Sequence, residues 1–314
     1  MRKLILDTDI GDDIDDALAL ALIMCSPDLQ LLGVTTVFLN AERRAKLARR
    51  ILRAYGRDDV PVHAGLDLPV LHQDESLIKE ISGRSTRSHD EHGAYIPCQF
   101  LDDMEHESAF NRDAVRFIID TAHALPGQVE LVCIGAMTNA AMAIRVDPAL
   151  PRLLSGITVM GGMFSEQLPE WNIRCDPEAA AIVLSSGADI HCVGLDVTLR
   201  CRLEIKDVER IKKIGSSATS LIGELVDRWL ATYQAECPLL HDPLAVSTLI
   251  DPSIVTFESR HVAVGLEGPA RSVTLARRSP PRESANAWGA AHIAVDLRRD
   301  FFMKLFLDRV TGQP

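Results

Sequence analysis

Short runs that are apolar at nearly every position recur along the chain: VELVCIG (129–135), GITVMGG (156–162) and DIHCVGLDV (189–197). A strand with one wet face alternates apolar and polar residues, so a run with no polar alternation has to be covered on both faces. LILD (4–7) and LQLLGVTTV (29–37) read the same way. Between these runs lie helical patterns at 16–25, 41–56, 111–124, 138–146 and 176–186, of which AERRAKLARRILRAYG is amphipathic and stops at Gly56. Apolar strands alternating with helices predict an α/β chain: an open, mostly parallel sheet with helices on both faces. Residues 203–250 read as mainly helical, 261–266 and 271–276 as a hairpin, and 296–311 as a closing helix. Two segments, 82–98 and 164–175, are polar and rich in turn formers. Loops of that length in compact domains are frequently lids or binding loops.

The 314 residues are 47% hydrophobic, with no linker composition and no repeat, and read as a single domain spanning 1–314. A net charge of −11 argues against a nucleic-acid partner, because phosphate contacts need a basic face, and against an anionic membrane surface. No apolar run approaches the ~20 residues of a membrane-spanning helix. The start, MRKLILDTD, has too short an apolar stretch for a signal peptide. Seven cysteines, odd in number and with no CxxC pair, fit reduced thiols in a cytoplasmic protein better than disulfides or a zinc site.

The first strand ends in DTDIGDDIDD (7–16), six aspartates in ten positions. Open α/β sheets bind ligands beyond the carboxyl ends of their strands, which is where this cluster falls. Asp15 and Asp16 open a helix, and acids are favourable in a first helical turn. That accounts for two of the six. A hard divalent cation such as Ca²⁺ or Mg²⁺ is the simplest neutraliser of the set. An EF-hand is excluded, because the twelfth position counted from Asp7 is Leu18 instead of the bidentate Glu. A haloacid dehalogenase-like phosphatase acting on nucleotides shares the D-x-D strand end. Here Ile10 follows, and no convincing downstream Lys with an acidic motif appears. A metal site that orients a hydroxyl-rich substrate and activates water remains the leading reading. It asks for further carboxylates elsewhere, and PLLHDPLAV (238–246) offers Asp242 beside His241, with Pro243 at a helix start. One of that pair could bind metal while the other moves a proton.

Taken together, DTDIG…DDALAL, GVTTVFLN (33–40), PVHAG (61–65), EHG (91–93), IGAMTNAAMA (134–143), VMGG (159–162), PEWNIRCDPEAA (169–180), GLDVT (194–198) and HDPLA (241–245) resemble the nucleoside hydrolases of the inosine-uridine preferring type. The likeness runs over nearly the whole chain. It implies a Rossmann-like nucleoside hydrolase fold, a ribonucleoside substrate and a bound Ca²⁺. The implied ligands are Asp9, Asp16, the Ile134 carbonyl and Asp242. Asp15 would hydrogen-bond the 2′-hydroxyl, and Asn40, Glu170 and Asn172 would grip the ribose. Met160 would pack on the sugar, and His92 would lie near the base. Asp9 would be the general base and His241 the general acid for the leaving base. Trp229 and Tyr233, four apart on one helical face, would border the nucleobase, where one could stack. The resemblance also implies a homodimer or homotetramer. A non-catalytic nucleoside-binding protein stays as an alternative, disfavoured by the retained Asp9, Asp242 and His241.

The chain departs from the commoner motif in two places. Asp12, Asp13 and Ile14 stand between Gly11 and Asp15, where one residue is usual, so Asp12 and Asp13 have no assigned role. The segment 163–169 lacks an obvious Asn for the 5′-hydroxyl, leaving Gln167 as a substitute.

Overall fold

Strand β1 (Arg2–Thr8) is buried from Leu4 to Thr8 and divides the core. Leu4 and Leu6 belong to one hydrophobic layer and Ile5 to the other, as the two-residue period of a strand requires. The computed structural model describes residues 1–71, 77, 80, 89–108, 110–280 and 287–312. Within them the other strands are β2 (Leu29–Thr36), β3 (Val62–Ala64), β4 (Val129–Cys133), β5 (Gly156–Met160), β6 (Ile190–Val193), β7 (Val255–Val264), β8 (Thr274–Arg277) and β9 (Gly289–Leu297). They form one sheet in the order β3-β2-β1-β4-β5-β6-β9-β7-β8. Strands β1 to β6 and β9 pair in parallel, while β7 is antiparallel to both β8 and β9.

The described helices are α1 (Asp15–Met24), α2 (Ala41–Ala54), α3 (Ala114–Ala124), α4 (Thr138–Val146), α5 (Leu150–Leu153), α6 (Trp171–Cys175), α7 (Pro177–Leu184), α8 (Leu195–Thr198), α9 (Ile205–Lys212), α10 (Ser217–Tyr233), α11 (His241–Ile250) and α12 (Arg299–Thr311). Leu18, Leu47, Leu225, Leu244 and Phe302 of α1, α2, α10, α11 and α12 cover one face. Ile118, Ala140 and Ala180 of α3, α4 and α7 cover the other. The chain leaves β1 for β2 and β3 on one side and returns to β4 on the other. That reversal opens a crevice beyond the carboxyl ends of β1 and β4, the switch point where such sheets bind ligands.

The α/β architecture expected from the apolar runs is present, and several boundaries differ. The run at 189–197 is not one strand: β6 stops at Val193, and Leu195–Thr198 turns into α8. The hairpin expected at 261–266 and 271–276 is present as β7 and β8, which pair from His261 with Arg277 to Val264 with Thr274, and β7 begins earlier, at Val255. The largest difference is β9. The closing helix starts at Arg299, and the residues before it are a strand inserted between β6 and β7. GAAHIAVDL contains three alanines and a glycine, a composition that suggests a helix as readily as a strand. The close approach of α7 explains the glycine, because a Cβ on Gly289 would collide with the Leu184 carbonyl. The loop at 164–175 ends in α6. Of the loop at 82–98, residues 82–88 lie outside the described residues.

Candidate active site

Two helices aim their first turns at the end of β1. Helices α1 and α11 pack against each other. Their opening acids, Asp15 and Asp16 on one and Asp242 on the other, are all buried. The Asp242 backbone N–H donates to Asp15 Oδ2 at 3.3 Å, and the Thr8 hydroxyl donates to Asp16. A carboxylate oxygen of each of the three lies within 4.8 Å of the other two. Burial and mutual repulsion hold all three well above the usual carboxylate range. Their hydrogen-bond donors here are neutral, and among the described residues no salt bridge reaches them. Three buried oxygen donors with raised proton affinity, none of them in a salt bridge among the described residues, fit a hard divalent ion.

Asp9 lies beside them at the mouth of β1. Burial pushes its carboxyl up to about 7, the Arg44 charge lowers it, and Asp12 and Glu170 raise it. Room for this side chain depends on Gly135, where an added Cβ would meet Asp9 N at 2.6 Å and Oδ1 at 2.7 Å. Below it Asp7 accepts from Thr35 Oγ1 at 2.6 Å and from Asn139 Nδ2 at 2.8 Å, tying β1 to β2 and α4.

A cavity of about 350 Å³ opens over these groups. The six aspartates read from the sequence separate here, because Asp9, Asp12, Asp13, Asp15 and Asp16 line the cavity while Asp7 does not. Ile134 and Met160, at the ends of β4 and β5, form part of the floor, and Trp229, Tyr233 and His241 contribute to the wall. The Trp229 and Tyr233 rings are 5.6 Å apart between centroids on successive turns of α10. Burial lowers the His241 imidazole to about 4, so it is neutral at pH 7, and its Nδ1 is 2.7 Å from Thr198 Oγ1. With that hydroxyl donating, the ring proton resides on Nε2.

Glu170 and Asn172 also line the cavity, and each holds backbone as well. Glu170 caps α6, accepting from Asn172 N at 3.0 Å and Ile173 N at 3.1 Å, and it accepts from Gly162 N at 3.1 Å. Asn172 Nδ2 donates to the Ile134 carbonyl at 3.0 Å and the Met160 carbonyl at 3.1 Å. It thereby satisfies the strand ends beneath the site.

Asn40 and His92, both expected in the pocket, are not among the residues that line it. Asn40 has φ +64°, caps α2 through Arg43 N at 3.2 Å, and donates to the Tyr95 carbonyl at 2.6 Å. Its side chain is committed to holding two loops together. His92 is 84% exposed beside Glu91. The cause is a turn held by Asp90 Oδ1, which accepts from His92 N at 3.0 Å and Ala94 N at 2.8 Å. Gln167 is exposed and does not line the cavity either.

Sequence reasoning missed Pro169, Trp171 and Leu195, which line the cavity. The signal available was their adjacency to Glu170 and Gly194. It also left Asp12 without a role. Asp12 pairs with the fully buried Arg44 at 2.7 Å and accepts from the Tyr95 hydroxyl at 2.6 Å.

Residues 4–304 match the family described as inosine-uridine preferring nucleoside hydrolase. The chain is 32% identical to the inosine-uridine preferring nucleoside hydrolase of Crithidia fasciculata, over 98% of this chain and 96% of that one. It is 28% identical to the probable uridine nucleosidase 2 of Arabidopsis thaliana, over 98% and 97% of the two chains. The structure of a purine-preferring ribonucleoside hydrolase from Gardnerella vaginalis superposes with a TM-score of 0.83 at 28% identity, covering 99% of each chain.

Proposed function

The chain belongs to the inosine-uridine preferring nucleoside hydrolase family and is a hydrolase of ribonucleosides; from that premise we propose that it cleaves the N-ribosidic bond to ribose and free base, with Ca²⁺ as its ion. The observation that carries this reading is the convergence of Asp9 with the three buried carboxylates of α1 and α11 beneath a cavity walled by aromatic side chains. Asp9, Asp16, Asp242 and the Ile134 carbonyl would hold the ion, with Asp15 adjoining. When bound, Ca²⁺ supplies a hard positive charge for the ribose diol and for water.

The chain's own groups then divide the work. Asp15 accepts a hydrogen bond from the 2′-hydroxyl. Asp9, whose affinity for a proton is near neutrality, takes one from the attacking water. Bond breaking leaves positive charge on the ribose, and the surrounding carboxylates favour that charge. Met160 packs under the sugar, while Glu170 and Asn172 border its hydroxyls. Trp229 and Tyr233 flank the base. Burial keeps His241 neutral at pH 7. It acts by hydrogen-bonding the leaving base through Nε2, and the negative charge growing on that base raises the proton affinity of the ring.

The relatives are named for different bases, inosine-uridine, uridine and purine. The family gives no support to the phosphatase reading. The proposal extends to a single domain over 1–314, a homodimer or homotetramer, and cytoplasmic nucleoside salvage. Among the described residues no helix is long and apolar enough to cross a membrane. Release of reducing sugar from inosine, uridine, cytidine and adenosine tests the activity, with turnover of at least one expected. No turnover of any of the four with Ca²⁺ present would overturn the reading.

A further inference from the structure

The sheet is thinnest where its parallel part meets its antiparallel end. Strand β6 joins β9 through two residue pairs, His191 with His292 and Cys192 with Ile293. One of those two pairs is a pair of histidines. Strand alternation sends Ile190, Cys192, Ala291 and Ile293 into the layer under α7, so His191 and His292 emerge together on the opposite face. Their rings stack with centroids 4.8 Å apart. Asp189, one residue before β6, brings Oδ1 to 3.6 Å from His292 Nε2. One ligand atom from each of Asp189, His191 and His292 lies within 4.8 Å of the other two.

Two imidazoles and a carboxylate are the donors that zinc takes in sites keeping an open position. Metal–ligand bonds of about 2.0–2.2 Å put neighbouring tetrahedral donors about 3.3–3.6 Å apart, which the Asp189–His292 separation meets. The far side of His292 is also fixed. Ser259 is its register partner on β7, and Ser259 Oγ lies 3.2 Å from His292 Nδ1, which leaves Nε2 for a ligand. His191 and Asp189 line a cavity of about 590 Å³ that opens to solvent at the amino ends of β1, β4 and β6, the opposite edge from the active site. Arg2 and Lys3 line it too. Lys3 donates to Gln128 at 2.7 Å.

We propose that Asp189, His191 and His292 form a second metal site, for a zinc-class divalent ion, that staples β6 to β9 across the narrowest seam of the sheet. It is separate from the carboxylate site and takes no part in the hydrolysis.

The test uses the full chain saturated with Ca²⁺, so that the aspartate site is occupied. Isothermal titration with Zn²⁺ should find one site per chain in the natural protein, with affinity reduced at least tenfold in His292→Ala and His191→Ala. Zn²⁺ should raise the melting temperature of the natural protein and leave both variants unchanged. Co²⁺ should give the visible bands of a low-coordinate nitrogen and oxygen site, absent from both variants. Asp189→Asn, at an exposed position that burdens folding least, should also weaken Zn²⁺, and nucleoside hydrolysis in Ca²⁺ checks that each variant is folded. Equal Zn²⁺ titrations and equal thermal responses in the natural protein and all three variants would overturn the proposal. So would the absence of any Zn²⁺ binding by the natural protein.

Discussion

Arg44 carries a full charge with no exposed surface, and every direction of its guanidinium is used. It donates to the carbonyls of Phe38 at 2.6 Å and Leu39 at 3.3 Å, to those of Asp9 and Ile10, and to the Asp12 carboxylate. Phe38, Leu39 and Asn40 all have positive φ, an unfavourable conformation for side chains with a Cβ. Arg44 therefore holds a strained loop and the Asp9–Asp12 loop in one arrangement. Removing one member of a buried ion pair costs about 3–5 kcal/mol. Arg44→Met should accordingly lower the urea midpoint sharply, and Asp12→Asn, which keeps an oxygen for Tyr95, should lower it by less. A midpoint unmoved by Arg44→Met would show that the pair holds nothing. The residue scale also decides His241. His241→Ala should reduce turnover of natural nucleosides by about a hundredfold or more, a common range for acid–base groups, and barely affect p-nitrophenyl riboside, whose leaving group needs no help. Equal losses on the two substrates would rule out a role at the base. None of these partnerships was legible in the sequence. A buried Arg four residues after Asn40 looks like any charged residue of an amphipathic helix until the fold closes over it.

At the scale of elements, two helix N-termini and one helix flank make the site. The first turns of α1 and α11 bring acids that are separated by more than 200 positions in sequence into one cluster. The side of α10 supplies Trp229 and Tyr233, and Arg228 anchors that helix to the Cys98 carbonyl at 2.5 Å. If Trp229 packs on the nucleobase, Trp229→Ala should raise KM for nucleosides roughly tenfold, the equivalent of about 1.4 kcal/mol, with a smaller change in kcat. A fall in kcat with KM intact would assign the ring to the transition state instead. Elements whose periodicity was strong, such as α2 and β4, were readable from local pattern. Strand β9 was not, because its opening glycine answers to the close approach of α7, and that neighbour is remote in sequence.

The molecule as a whole sets the pH response. Asp15, Asp16 and Asp242 have folded pKa values well above the unfolded value of 3.8, and Asp9 rises to about 7. Without a cation the folded protein binds more protons than the unfolded chain over this range, so its stability falls as pH rises from about 4 through 7. His241, at about 4 instead of 6.5, acts oppositely, contributing stability above 6.5 that is lost as pH falls towards 4. The raised carboxyls, with Asp7 also at about 7, outnumber it. Chelator-treated protein should therefore melt at lower temperature at pH 8 than at pH 5, and Ca²⁺ should raise the pH 8 value most. Thermal melts at both pH values, with and without Ca²⁺, check this, and a chelated protein that melts higher at pH 8 contradicts it. The sequence by itself determined the α/β class, the position of an acidic cluster at the end of the first strand, and a second helix start at His241 and Asp242, because strand burial, helix starts and clustered charge are local patterns. Only the tertiary structure decided the rest: that Asp12 belongs to Arg44, that Asn40 caps a helix and His92 faces water, and that β9 enters the sheet. Each depends on a hydrogen-bond partner or packing surface brought close by the sheet order, and a linear pattern carries no distance.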